Sequence, residues 1–128
     1  MLRWTDLSKI PQGYGPSVVT MGNFDGVHKG HRAVLATVME RASNYGSAGS
    51  AGAHAVAVTF DPHPVAVLHP ERAPQIITSS EQRLDLLAAT GLDAVLVMEF
   101  TRDLALWTPE NFVVEVFVNA LEIGRAHV

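Results

Sequence analysis

The chain has 128 residues, 48% of them hydrophobic and 17% charged, no cysteine and a formal net charge of -4. That is the size and composition of one soluble globular domain. It excludes a disulfide framework, a thiolate metal site and a cysteine nucleophile, and it leaves no global basic field to gather nucleic acid. Met1–Asp6 lacks the basic and apolar segments of a secretory signal, and no apolar run reaches membrane-spanning length. The expected location is the cytoplasm, without a membrane or nucleic-acid partner.

Residues 17–22 (Ser-Val-Val-Thr-Met-Gly) form a β-branched apolar run, preceded by Pro16 and followed by Gly, Asn and Asp; they predict a buried strand. From Gly30 to about Tyr45 the period changes to helical, with Val34, Leu35, Val38 and Met39 on one face. Residues 46–52 read as a Gly/Ser/Ala linker. Residues 55–60 predict a second buried strand, ended by Asp61-Pro62-His63-Pro64 because proline cannot continue a central ladder. Thr78 as N-cap with Glu81 three residues later predicts a capping box, continued by Leu84, Leu87 and Ala88 and stopped by Gly91. Residues 94–98 predict a third strand. Thr108 and Pro109 predict the N-cap and first residue of a last helix that carries Phe112, Val113, Val116 and Phe117, with Phe112, Val116 and Phe117 in the core. This alternation of strand and helix predicts a parallel sheet with helices on both faces, with ligands beyond the carboxyl ends of the strands.

The unusual residues cluster at two of those ends. In Gly22-Asn23-Phe24-Asp25-Gly26-Val27-His28-Lys29-Gly30-His31 a strand feeds a glycine-rich turn that opens a helix. Free N–H groups and the dipole at a helix N-terminus favour phosphate, and the glycines permit close backbone approach. If His28 and His31 share the first helical turn, they point to the same side. Two imidazoles and Lys29 then place donors around a phosphoryl group as it gains charge. Such a reaction needs no protein nucleophile: a substrate phosphate attacks the α-phosphorus of ATP in line and pyrophosphate leaves.

The long string from Gly22 to His31 resembles the bacterial bifunctional riboflavin kinase/FAD synthetase family, and its His28-x-Gly30-His31 tetrad is shared by a wider nucleotidyltransferase superfamily. Thr59-Phe60-Asp61-Pro62-His63-Pro64, residues 78–87, residues 91–100 and Thr108-Pro109-Glu110-Asn111-Phe112 are similar to the same family. The resemblance implies a Rossmann-like nucleotidyltransferase α/β fold and adenylyl transfer from ATP to FMN. It implies His28 and His31 as the catalytic pair and an ATP site of Gly22, Asn23, Phe24, Asp25, Gly26, His28, Lys29, Gly30 and His31. It places the flavin near Asp61, Pro62, His63 and Pro64, with Mg²⁺ carried on the nucleotide phosphates rather than in a protein metal site. Other transferases of the superfamily act on different phosphate acceptors, and the stretch 60–64 separates the flavin branch from them. A nucleotide-binding piece without turnover is the third reading.

The resemblance also implies a further strand, a nucleotide-binding Ser/Thr segment and a riboflavin kinase barrel that this sequence does not contain. The sheet is accordingly expected to be incomplete at its C-terminus, with an open edge that makes the chain poorly stable. Residues 1–121 are expected to be the domain. Residues 122–128 (Glu-Ile-Gly-Arg-Ala-His-Val) read as a translated sequencing adapter and are expected to be non-native. Away from the two clusters the simpler readings hold. His54 and His69 are ordinary, Trp4 and Trp107 are packing anchors, and Glu81, Arg83 and Asp85 form a solvated helix face. Lys29 is open between a solvated charge and a phosphate contact, and His63 between a structural turn and a ligand.

Overall fold

A computed structural model of the chain describes residues 1–45, 52–72 and 79–127. Five strands, β1 (Leu2–Trp4), β2 (Ser17–Met21), β3 (His54–Asp61), β4 (Ala94–Glu99) and β5 (Ile123–His127), form one sheet in the order β1-β4-β3-β2-β5. All pairings are parallel. Helix α1 (Lys29–Ser43) joins β2 to β3. Helices α2 (Pro64–Leu68) and α3 (Ser80–Ala88) lie between β3 and β4. Helices α4 (Arg102–Ala105) and α5 (Pro109–Phe112) follow β4, and α5 runs on as a π-helix over Val113–Ala120. The wider winding is visible in the bond from Leu121 N–H to the Val116 carbonyl, five residues back, at 3.0 Å.

Strands buried on both faces read as continuous apolar runs, and these do. Val18, Ala55, Ala57 and Val95 face a core with Leu35, Val38 and Ala42 of α1 and Leu87 of α3. Val19, Val56, Val58, Ala94 and Leu96 face the opposite core, with Trp4, Val116 and Leu121. Both crossovers that advance from β2 to β3 to β4 thus lie on one face. The path back to β5 lies on the other, as right-handed connections require once the direction of winding reverses. The reversal falls between β2 and β5, so the carboxyl end of β2 is the switch point at which such sheets bind ligands.

The three expected strands and helices on both faces are present, with differences at the margins. Val34, at the edge of the α1 stripe, is 36% exposed. The N-cap of α3 is Ser79, whose Oγ accepts from Gln82 N–H while Gln82 returns the bond to Ser79 N–H. Thr78, the residue expected there, lies outside the described residues, as does the linker except for Gly52. Two strands were not expected. β1 is three residues long with only Trp4 buried, too short to show a period. β5 occupies the edge of β2 that the sequence leaves open: Val18, Val19 and Thr20 are in register with Arg125, Ala126 and His127, Ser17 N–H bonds the Glu122 carbonyl at 3.2 Å, and Gly15 N–H bonds Glu122 Oε2 at 3.2 Å. Trp4 is the packing anchor expected, 6% exposed and edge-on to Tyr14 at 4.8 Å. Trp107 instead is 37% exposed, on the wall of an open cleft with Asp6 and Glu99.

Candidate functional site

The site grows from the end of β2. Gly22 N–H still bonds the Val58 carbonyl at 3.0 Å, and then the chain leaves the sheet. Phe24 enters the left-handed region (φ 54) with its ring buried, Gly26 follows at φ 74, and buried Val27 sits at φ 43. A β-branched residue at positive φ is strained, and such strain persists only where surrounding contacts over-determine it. Phe24 and Val27 are held by the α1-side core they enter. Asp25, Gly26 and Val27 make a 3-10 turn, which delivers His28 to the N-cap of α1.

His28 is therefore not in the first helical turn, as expected, but one position ahead of it. Its Nδ1 accepts from Gly30 N–H at 3.1 Å and from His31 N–H at 3.3 Å. A ring nitrogen that accepts carries no proton, so neutral His28 holds its proton on Nε2 and offers that N–H outward. Gly30 permits this: a Cβ there would lie 3.0 Å from His28 Cε1. The two imidazoles still come together, stacked at 3.5 Å and 17°. Phe24 backs His31 edge-on at 5.3 Å. Burial lowers the pKa of His31 first, the neighbouring His28 lowers it further, and Asp25 partly opposes both. His31 Nδ1 is buried without a hydrogen-bond partner. Lys29, the first residue of α1, is exposed.

The second cluster starts at the end of β3. Asp61 Oδ2 accepts from Ser80 Oγ at 2.7 Å, tying the strand end to the start of α3. His63 is the N-cap of α2 and Pro64 its first residue, with His63 Nδ1 accepting from Val65 N–H at 3.0 Å. His63 thus acts in the turn, as its bland reading has it, but its other nitrogen reaches the first cluster. His63 Nε2 lies 3.1 Å from the Asn23 side-chain amide. Because Nδ1 accepts, Nε2 carries the proton, and the amide orientation that satisfies it turns Asn23 Oδ1 to the ring. That orientation also partners an oxygen otherwise buried without a bond. The structure therefore joins Gly22–His31 and Asp61–Pro64 through Asn23 and His63.

Two contributors were not legible. Arg83 is buried rather than part of a solvated face: it donates from Nη1 to the Asn23 carbonyl at 2.9 Å and from Nη2 to the Phe60 carbonyl at 3.3 Å. Its neighbours fit the solvated reading, with Asp85 paired to Arg3 at 3.0 Å on the surface. The second is an apolar pocket of about 300 Å³ lined by Met21, Phe60, Leu68, Phe100, Leu104, Ala105 and Phe112, beside the carboxyl ends of β2, β3 and β4. Its residues are scattered along the chain and carry no motif. His54 and His69 lie outside the site: His54 stacks on Tyr14 with Nδ1 2.8 Å from the Tyr14 carbonyl, and His69 is 3.5 Å from Glu71.

A doubly wound parallel sheet with an imidazole pair at its switch point defines a nucleotidyltransferase-like α/β domain. Comparison with known proteins narrows this: the FAD synthetase family model matches residues 11–128, and the chain belongs to that family. It is 34% identical over 118 residues to the bifunctional riboflavin kinase/FMN adenylyltransferase of Escherichia coli (strain K12), covering 92% of this chain and 35% of that protein. The proteins of the same description from Listeria monocytogenes and Bacillus subtilis (strain 168) are 34% and 29% identical over 86% and 91% of this chain. The chain thus spans about a third of the length of these relatives. A solved structure described as a macrolide-efflux protein from Streptococcus pneumoniae superposes with a TM-score of 0.72 at 22% identity, over 95% of this chain and 38% of the other, a likeness of fold.

Proposed function

We propose that this chain carries the adenylyl-transfer centre of an FMN adenylyltransferase. A phosphate oxygen of FMN attacks the α-phosphorus of ATP, the new P–O bond makes FAD, and the bond to the β-phosphate breaks to release pyrophosphate. The observation that carries the reading is the stacked His28–His31 pair at the head of α1, at the carboxyl end of β2. His28 offers Nε2–H as a fixed donor. His31, kept neutral by burial and by His28, gains a proton most readily when a phosphoryl group brings negative charge beside it. The backbone from Gly22 to Gly26 shapes the nucleotide pocket, with Lys29 and the dipole of α1 attracting the phosphates.

The flavin side is assigned to Asp61–Pro64 and to the aromatic pocket of Phe60, Phe100 and Phe112, whose apolar lining suits a planar ring system. Mg²⁺ is assigned to the nucleotide phosphates, since among the described residues no three His, Asp or Glu side chains converge to hold a metal. The ATP requirement supports a cytoplasmic location. No helix among the described residues is long and apolar enough to cross a membrane.

The test is pyrophosphate release with ATP, Mg²⁺ and FMN. Release that depends on FMN and is lost in His28→Ala is the expected result. ATP binding without release would make the chain a nucleotide-binding module, and release with another phosphate acceptor but not FMN would move it to a different branch of the superfamily.

A further inference from the structure

The two halves of the site come from different crossovers, yet their relative position must hold to fractions of an ångström for in-line transfer. One side chain spans them. Arg83, the fourth residue of α3, is 9% exposed and lies under the site rather than in it. Its Nη1 donates to the carbonyl of Asn23, the residue before the left-handed Phe24. Its Nη2 donates to the carbonyl of Phe60, the residue before Asp61. The Asn23 carbonyl accepts a second bond from Thr59 Oγ1 at 3.2 Å, so both of its lone pairs are taken and both donors come from the far half. Above the same peptide, the Asn23 side chain meets His63.

Burying a guanidinium is costly, and leaving its Nε without a hydrogen bond, as here, adds to that cost. A core position on α3 would be filled more cheaply by leucine, as it is at Leu87. What a leucine cannot do is bind two carbonyls at once. The planar fork of arginine does so with fixed geometry from two separate nitrogens, whereas lysine has only one rotatable nitrogen on a flexible stem.

We propose that Arg83 is a positioning residue that clamps the His28/His31 loop to the Asp61–Pro64 turn, setting the register between the nucleotide and flavin halves of the site. It acts through the Asn23 and Phe60 carbonyls and touches neither substrate. The substrate assignment rests on the function proposed above; the clamp itself does not.

The test therefore begins without ligand, on the ¹⁵N-labelled full chain. In the wild type, His63 shows the neutral Nε2–H tautomer and the Asn23, Phe24 and Asp61 amides give single sharp resonances. In Arg83→Met, which keeps the bulk and removes the fork, His63 becomes a mixture of tautomers and those amides broaden, while the core methyls of Leu35, Leu87 and Val95 hold their shifts. Arg83→Lys behaves as Arg83→Met does, because charge without the fork does not restore the bridge. Unchanged His63 and Asn23 signals in both variants overturn the proposal. So does loss of the whole fold in both, which would make Arg83 a general stability residue.

Pyrophosphate release is then measured on the same proteins. The clamp predicts a kcat about a hundredfold lower in Arg83→Lys, with the KM for ATP and for FMN changed far less, since each half-site survives separately. Wild-type kcat in Arg83→Lys overturns the clamp's role in turnover. A wild-type chain with the expected His63 and Asn23 signals but no FMN-dependent release would leave the clamp standing and remove the function proposed above.

Discussion

Between Ser17 and Thr20, and again between Ala55 and Thr59, the sheet buries every side chain, and its apolar members are divided between two well-filled cores. A few residues further along the same strands the rules change. Phe24 and Val27 stand at positive φ, and His31 Nδ1 and Arg83 Nε are buried polar atoms without partners. The interior is arranged for packing, where apolar area and shape decide stability. The carboxyl rim carries strain and unmet hydrogen-bonding capacity, the condition of a surface shaped to be completed by something polar from outside. A protein can hold such a rim only because the interior is indifferent to it.

That contrast is open to measurement. Leu35 is fully buried on the α1 face, so Leu35→Ala should lower unfolding free energy by about 2–5 kcal/mol. Denaturant unfolding reads this directly, and a loss well below that range would mean the interior is less tightly packed than its burial indicates. His28→Ala should show the reverse balance, with pyrophosphate release falling about 10²–10³-fold. Its stability should fall by only about 1 kcal/mol, through loss of the α1 cap. His28→Asn sharpens the point, because asparagine caps helices well but supplies no imidazole: stability should return and the rate should not. Ser79→Ala removes the capping box of α3 and should cost about 1 kcal/mol. An effect on turnover larger than on stability would show that α3 transmits its position to Arg83.

The smallest effect is the most specific. The folded-state pKa of His31 lies below its ordinary value of 6.5, chiefly through burial. The unfolded chain then binds the proton more readily, so His31 adds no penalty above pH 6.5, and stability falls as pH drops below it. His31→Gln should flatten that part of the pH profile of the denaturation midpoint. An unaltered profile would place the acid sensitivity elsewhere in the rim.

Much of this arrangement was legible without coordinates, for local reasons. Strands 17–21, 54–61 and 94–99 were visible because strands buried on both sides are continuous apolar runs. The head of α5 was visible because Thr108 Oγ1 accepts from Asn111 N–H, with Pro109 as first residue. The glycine-rich turn and the two histidines were visible because a turn that opens a helix with two imidazoles three residues apart is a local pattern. Arg83 was hidden because neighbours at 81 and 85 made the helix face read as polar, and only packing shows that one of those residues turns inward. The capping residue of α3 was off by one for a similar reason: Thr78-Ser79-Ser80 offers three hydroxyls, and helical register alone selects Ser79.

By itself the sequence determined the α/β class, the order of the central elements and the two clusters of candidate site residues, since each depends on residues near one another along the chain. Tertiary structure decided that His28 caps the helix rather than joining it, because Gly30 lets the ring fold back over the first N–H groups. It decided that Asn23 meets His63 and that Arg83 holds both halves, contacts between residues 40 and 60 positions apart. It also set β5 beside β2. Pairings of that range leave no period or spacing in a sequence; they exist only once the two cores have fixed the strands side by side.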